Sequence, residues 1–242
     1  MAADWLKGTQ FAHRGLHGAP LAEGVAENSP AAFAAAIERG MGIECDVQLT
    51  ADGQAVVFHD FETARLTGHA GATLGRTAAE MAALSLLTGG EKVATLGGVL
   101  ALVAGRVPLL IEIKSKRHWN WAALCEAVRR DLADYAGPVA VMSFDPRVVH
   151  WFRINAPDVL RGTVITEEHA PGRLGDLRRG MAFRWAQPHF IAYDVRDLPS
   201  RFAARKRATG VPVLTWTVRS PELRETARAH ADSPIAEGEG VV

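Results

Sequence analysis

The chain has 242 residues, of which 48% are apolar, and its 27 Lys and Arg balance 27 Asp and Glu to a formal net charge of zero. That length fits one α/β barrel of about 250 residues, and a balanced charge argues against a nucleic-acid binder, which carries a basic excess. No stretch approaches the roughly 20 apolar residues of a membrane span, and Met1 to Gly8 lacks the basic start and apolar run of a secretory signal.

Short apolar runs alternate with helix-like segments from the start. Phe11 to His13 reads as a strand. Asn28 or Ser29 caps a helix that has Pro30 near its first position and Gly40 at its end. Gly42 to Leu49 and Ala55 to His59 read as strands joined by an Asp52-Gly53 turn. Residues 61–92, rich in Gly, Thr and Ala, break the alternation and read as an insertion. Further strands are expected at Val107 to Ile113, Val139 to Phe144, Leu160 to Ile165, Phe190 to Asp194 and Val211 to Val218. Between them, helices are expected at Trp119 to Ala133, Pro146 to Ile154, Leu174 to Trp185, Leu198 to Ala208 and Pro221 to Ala229. The alternation predicts a parallel α/β sheet; periodicity alone does not separate a closed barrel from an open sheet. Gly89-Gly90 and Gly97-Gly98 read as loop or packing features. Ala231 to Val242, short and rich in Gly and Glu, offers no clear closing strand, and its last residues are expected to fray.

Several charged residues end the apolar runs, where parallel α/β folds place their sites. Residues two apart on a strand share a face, so Glu44 and Asp46 project together, as do Glu112 and Lys114. Adjacent carboxylates repel and need a cation or a raised pKa. Glu112 would complete a hard oxygen site suited to Mg²⁺ or Ca²⁺, with Mn²⁺ also admissible. Each acid could instead pair with a Lys or Arg at a rim, but three at successive strand ends favour a site. His13 and His59 both sit at strand ends beside charge and would supply a general acid and a general base near neutral pH. The remaining histidines, His169 among them, read as satisfied surface or core residues. Arg14 would hold a phosphate through charge-assisted hydrogen bonds. Patterns for a serine nucleophile elbow, a P-loop or a dinucleotide fingerprint are absent. Cys45 and Cys125 read as buried free thiols, which fits a cytoplasmic location. The cluster Arg201, Arg205, Lys206 and Arg207 reads as a solvated helix face, and Trp119 and Trp121 beside Lys116, Arg117 and His118 read as a helix start.

The motifs His13-Arg14-Gly15, Glu27-Asn28-Ser29 with Ala32-Phe33, Glu44-Cys45-Asp46 through Asp52-Gly53, and His59-Asp60 together resemble the glycerophosphodiester phosphodiesterase family. Arg65-Leu66-Thr67, Thr95-Leu96, Glu112-Ile113-Lys114, Ser143-Phe144 and Thr215-Trp216-Thr217-Val218 extend the resemblance across most of the chain. It departs from the family at Ala26, usually Pro, and at Gly97-Gly98, usually an acidic pair. The resemblance implies a TIM (β/α)8 barrel over residues 1–242 with a small insertion near 61–92, hydrolysing glycerophosphodiesters to glycerol 3-phosphate and an alcohol. It places metal ligands on Glu44, Asp46 and Glu112, catalytic histidines on His13 and His59, phosphate contacts on Arg14 and Lys114, and a glycerol-pocket aromatic on Trp216. The expected partner is a small phosphodiester, with no nucleic acid and no integral membrane contact; oligomeric state is left open. Lysophospholipid or sphingomyelin head-group cleavage on the same barrel is the nearest rival, and a non-catalytic barrel that binds a phosphorylated ligand is the rival from another class.

Overall fold

The computed structural model describes residues 4–116, 118–168 and 170–241; Met1 to Ala3, Arg117, His169 and Val242 lie outside the described residues. Two compact units divide the chain, one of residues 12–138 and one of residues 1–11 with 139–242.

The first unit begins at Ala12, the second residue of the short strand β1 (Phe11–Ala12), and continues into helix α1 (Pro30–Glu38). Ser29 rather than Asn28 caps α1: its hydroxyl accepts from the Ala32 amide at 3.2 Å, and Pro30 takes the first position, where an amide would lack a partner anyway. Strand β2 (Gly42–Leu49) is buried along its whole length, alternating apolar Ile43, Cys45 and Val47 with Glu44, Asp46 and Gln48. It pairs antiparallel with β3 (Ala55–Val57) through the Asp52-Gly53 turn, where Gly53 has a φ of 72°. The insertion is built of α2 (Ala64–Thr67) and α3 (Ala78–Ala83), the latter held by a full capping box between Thr77 and Glu80. Glu91, at its end, accepts from the Ala31 amide at 3.2 Å and so ties the insertion to the start of α1.

Helix α4 (Leu96–Val103) corrects the loop reading of Gly97-Gly98. Both glycines sit in its first turn, and Thr95 caps it by accepting from the Gly98 amide at 3.1 Å. Burial of Leu96, Val99, Leu100 and Val103 outweighs the glycines' poor helix propensity, which costs about 1 kcal/mol each. Strand β4 (Leu109–Ile113) lies parallel to β2, and α5 (Trp121–Asp131) follows under an Asn120 cap.

The second unit alternates without interruption: β5 (Val139–Ser143), α6 (Pro146–Asn155), β6 (Leu160–Ile165), α7 (Gly172–Ala186), β7 (Phe190–Asp194), α8 (Arg201–Ala208), β8 (Val213–Val218), α9 (Pro221–His230) and β9 (Ser233–Ala236). Strands β5 to β9 pair parallel in sequence order. Strand β9 supplies the closing strand that Ala231 to Val242 did not offer in sequence: Ile235 and Ala236 are fully buried, and a register shift between Thr215 and Val218 of β8 accommodates it. The α8 basic cluster is partly paired rather than simply solvated, with Arg205 on Asp176, Arg207 on Asp232 and the Lys206 ammonium 3.6 Å from the Phe183 ring centroid. The fold class is the expected TIM (β/α)8 barrel, with β3 as an extra antiparallel strand and the short helices α2 and α3 in the insertion after it.

Candidate active site

Seven of the eight residues singled out from the sequence fall in the unit of residues 12–138, and the β2–β4 pairing explains how three of them meet. Glu44 and Asp46 point to one face of β2, and the parallel register sets Asp46 opposite Glu112 of β4. Ligand oxygens of the three carboxylates lie within 4.8 Å of one another. Glu44 and Asp46 are each 1% exposed and Glu112 is 8% exposed.

Three buried carboxylates at that distance need compensation. Lys114 supplies part of it, with Nζ 2.8 Å from Asp46 Oδ1 and 2.5 Å from Glu112 Oε1. Burial disfavours its charge, yet Asp46 and Glu112 outweigh that and hold its pKa above the usual lysine value. Burial would likewise raise Asp46, but Lys114 and then Arg14 keep it well below the carboxylate range. Glu44 goes the other way: burial first, then Asp46 and Glu112, push its pKa well up. Its Oε2 accepts the Arg14 amide at 3.0 Å, while its Oε1 is buried with no hydrogen-bond partner.

The turn after β1 delivers His13 and Arg14. Arg14 (φ 57°) and Gly15 (φ 76°) both take left-handed backbone, which turns the Arg14 amide onto Glu44. A Cβ on Gly15 would stand 2.7 Å from Ala32 Cβ and 2.8 Å from the Ala32 carbonyl carbon, so only glycine fits against α1. His13 Nε2 lies 4.0 Å from Glu44 Oε2. The Arg14 guanidinium reaches Glu27 at 2.8 Å and Asp46 at 3.2 Å. Arg65, from the insertion, bridges Glu27 to Asp60. Asp60 in turn meets His59 Nδ1 at 2.7 Å. One chain of charges, Asp46, Arg14, Glu27, Arg65, Asp60 and His59, therefore joins both histidine-bearing turns. Gln48 also holds the His59 carbonyl, donating at 2.9 Å. Burial lowers the His59 pKa; Asp46 opposes the shift, and Lys114 and Arg14 add to it.

Five acids (Glu27, Glu44, Asp46, Asp60, Glu112) set against three bases (Arg14, Arg65, Lys114) leave this cluster two negative charges in excess when all are ionised. Oxygen donors only, an unpartnered Glu44 oxygen and a deficit of two charges fit a divalent cation. Beside the cluster, His59, Asp60, Phe61, Glu62 and Lys114 line an open cavity of ≈ 350 Å³. At its edge Phe61 and Trp119 meet edge to face at 4.9 Å between centroids, with the Lys116 ammonium 3.9 Å from the Phe61 centroid.

Trp216, the eighth residue, lies on β8 in the other unit. Its indole donates to the Ala192 carbonyl at 2.9 Å and Phe144 meets it edge to face at 5.3 Å. Sequence reasoning missed the role of Asn28. Buried and left-handed (φ 55°), it clamps Asp46, its Nδ2 donating to Oδ2 at 2.8 Å and its Oδ1 accepting the Asp46 amide at 3.2 Å. The clue was a second capping residue directly before Ser29, one more than a helix needs.

A family model described as "Glycerophosphoryl diester phosphodiesterase family" matches residues 13–233. YhdW of Bacillus subtilis (strain 168) is 35% identical over 231 residues, covering 90% of this chain and 89% of its own. Glycerophosphodiester phosphodiesterase 1 of Bos taurus is 25% identical over 260 residues, covering 92% of this chain and 75% of its own. A phosphodiesterase of Oleispira antarctica, solved in complex with the product sn-glycerol-3-phosphate, superposes with a TM-score of 0.83 at 20% identity over 98% of this chain and 95% of its own. A glycerophosphodiester phosphodiesterase of Thermotoga maritima gives a TM-score of 0.75 at 25% identity, with 94% of each chain covered.

Proposed function

The chain belongs to the glycerophosphoryl diester phosphodiesterase family, and on that premise we propose that it releases glycerol 3-phosphate and an alcohol from glycerophosphodiesters, using a divalent cation and the His13–His59 pair. It is a phosphoric diester hydrolase. The observation that carries the finer reading is the buried trio Glu44, Asp46 and Glu112, with its unpartnered Glu44 oxygen and its excess of negative charge. These three carboxylates would hold the cation, Mg²⁺, Ca²⁺ or Mn²⁺. Once bound, the ion supplies positive charge against the negative charge that builds on phosphate in the transition state.

The chain's own groups divide the remaining work. Lys114 and Arg14 are tied to the acids. With a cation on those acids, their hydrogen bonds become available to phosphate oxygens. His59 is the better base. Its lowered pKa keeps the ring neutral near neutral pH, and an Nδ1–H donated to Asp60 leaves Nε2 as the proton acceptor. That leaves His13 to protonate the departing alkoxide. The proton His59 accepts comes from water or from the glycerol 2-hydroxyl, the latter giving a cyclic phosphate first. Trp216 is proposed to line the glycerol pocket, residues 1–242 to act as one phosphodiesterase domain, and the burial of Cys45 and Cys125, neither in a disulfide, supports a cytoplasmic location.

The test is glycerol 3-phosphate release from a panel of glycerophosphodiesters with Mg²⁺, Ca²⁺, Mn²⁺ or chelator, followed by phosphorus NMR. Metal-dependent release supports the whole reading, and a trapped cyclic phosphate assigns the 2-hydroxyl as nucleophile. Full activity in excess chelator overturns the metal claim. No release from any member of the panel shifts the substrate to a lysophospholipid or a sphingolipid head group.

A further inference from the structure

Helix α7 holds four large apolar side chains out in solvent: Leu174 is 62% exposed, Leu177 59%, Met181 56% and Trp185 46%. Their spacings of three, four and four residues confine them to an arc of roughly 80° along roughly 17 Å of helix. The opposite side is where α7 is anchored, through buried Gly175 and Ala186 and through Phe183 against the Tyr193–Phe202 cluster. The exposed stripe therefore lies away from the side that anchors α7. Neighbouring α6 extends it with Ile154, 60% exposed, and with His150, whose ring stacks on Trp185 at 4.1 Å.

The charges around the stripe have one sign. The exposed ionic side chains of α7 are Arg173, Arg178 and Arg184, and helical geometry sets Arg178 on one edge of the stripe and Arg173 and Arg184 on the other. Arg153 of α6 lies against the end of α7, donating to the Trp185 carbonyl at 2.8 Å. The one carboxylate of α7, Asp176, is turned away and held by Arg179 at 2.8 Å and Arg205 at 3.3 Å. Asp158 and Glu168 lie beyond the helix ends, and Glu168 has Arg196 at 3.7 Å.

We propose that this face docks on the surface of an anionic lipid bilayer. An apolar stripe with a tryptophan, edged on both sides by arginines, matches a surface that is apolar below and negatively charged above. The arginine stems lie along the apolar layer while their heads reach lipid phosphates. A second copy of this chain fits less well. In a two-fold contact the same patch meets itself, which sets arginines against arginines. The inference goes beyond the hydrolase reading and does not depend on it.

Co-sedimentation with vesicles tests it, using phosphatidylcholine alone or phosphatidylcholine mixed with phosphatidylglycerol. The wild type is compared with Leu177→Glu/Met181→Glu and with Arg178→Glu/Arg184→Glu, with far-UV circular dichroism as the folding check. The expected result is binding to the anionic vesicles only, weakening as salt rises, and reduced about tenfold or more in both variants while their dichroism is unchanged. No sedimentation with anionic vesicles, equal binding by the folded variants, or equal binding to neutral vesicles overturns the proposal. So does a concentration-dependent dimer that Leu177→Glu/Met181→Glu abolishes, because a second copy then covers the stripe.

Discussion

Two polar networks, one in each unit, are built from the same kinds of residue and end in opposite electrostatic states. In the second unit Glu167 is fully engaged: Oε1 accepts the Tyr193 hydroxyl at 2.6 Å and the Ser200 hydroxyl at 2.9 Å, and Oε2 faces Arg179 at 3.3 Å. Its two acids, Glu167 and Asp176, are matched by Arg179 and Arg205. In the first unit the trio Glu44, Asp46 and Glu112 carries excess charge and leaves Glu44 Oε1 without a partner. A balanced network fixes a loop after its strand, whereas the unbalanced one has the donor set and charge that suit a divalent cation. What separates architecture from a site here is whether the charges close, rather than which residue types are present.

Parallel substitutions in the two networks break or sharpen this contrast. Glu44→Gln is expected to lower metal-dependent turnover by about 10²-fold or more, measured as glycerol 3-phosphate release. In chelator, the same change should leave the melting temperature equal or higher, because a neutral amide suits a buried position whose neighbours already disfavour a charged Glu44. Glu167→Gln should instead cost about 1–3 kcal/mol in urea unfolding, because a satisfied acceptor is replaced by a group that can no longer serve every donor. Equal destabilisation by both would make the acidic trio another piece of architecture.

His59→Ala is expected to reduce kcat by about 10²–10⁴-fold. In the wild type the acid limb of kcat/KM should fall below the ordinary histidine value of 6.5, because burial lowers the His59 pKa and the neutral ring persists to lower pH. The same shift has a stability sign. Unfolded His59 takes up its proton at a higher pH than folded His59, so stability is present above 6.5 and is lost as pH falls through the lower folded value. Chemical denaturation of wild type and His59→Ala across that range checks it. Divalent-ion affinity should move in the same direction as pH, since Glu44 must give up a proton held by burial and its acidic neighbours; calorimetry in two buffers would read the proton release. The smallest effect is reserved for Arg65→Ala. Arg65 is half exposed, so unfolding should change by no more than about 1 kcal/mol, however many partners it touches.

Much of this is legible in the sequence. The two-residue spacing of Glu44 and Asp46 dictated a shared face, and Pro30 with Gly40 bounded α1 closely. The contact between Asp46 and Glu112 was not legible, because it is a matter of register between strands far apart in sequence. Helix α4 was hidden by its two glycines, which local propensity disfavours and tertiary burial overrides. Strand β9 was hidden by Pro234 and by its glutamate- and glycine-rich surroundings, although its backbone pairs with β8. The apolar stripe on α7 lay in plain spacing, yet sequence alone could not say that the helix would turn those residues outward.

The close approach of Gly15 to Ala32 also couples two positions of this chain that lie apart in sequence. No side chain is available at position 15, and a bulkier one at position 32 would press on the turn that aims the Arg14 amide at Glu44. Two motifs separated along the chain are thus mechanically one unit, and the insertion beside them is held by its own buried Met81, Leu84 and Leu86 against Val56 and Phe58 as well as by Glu91 and Arg65.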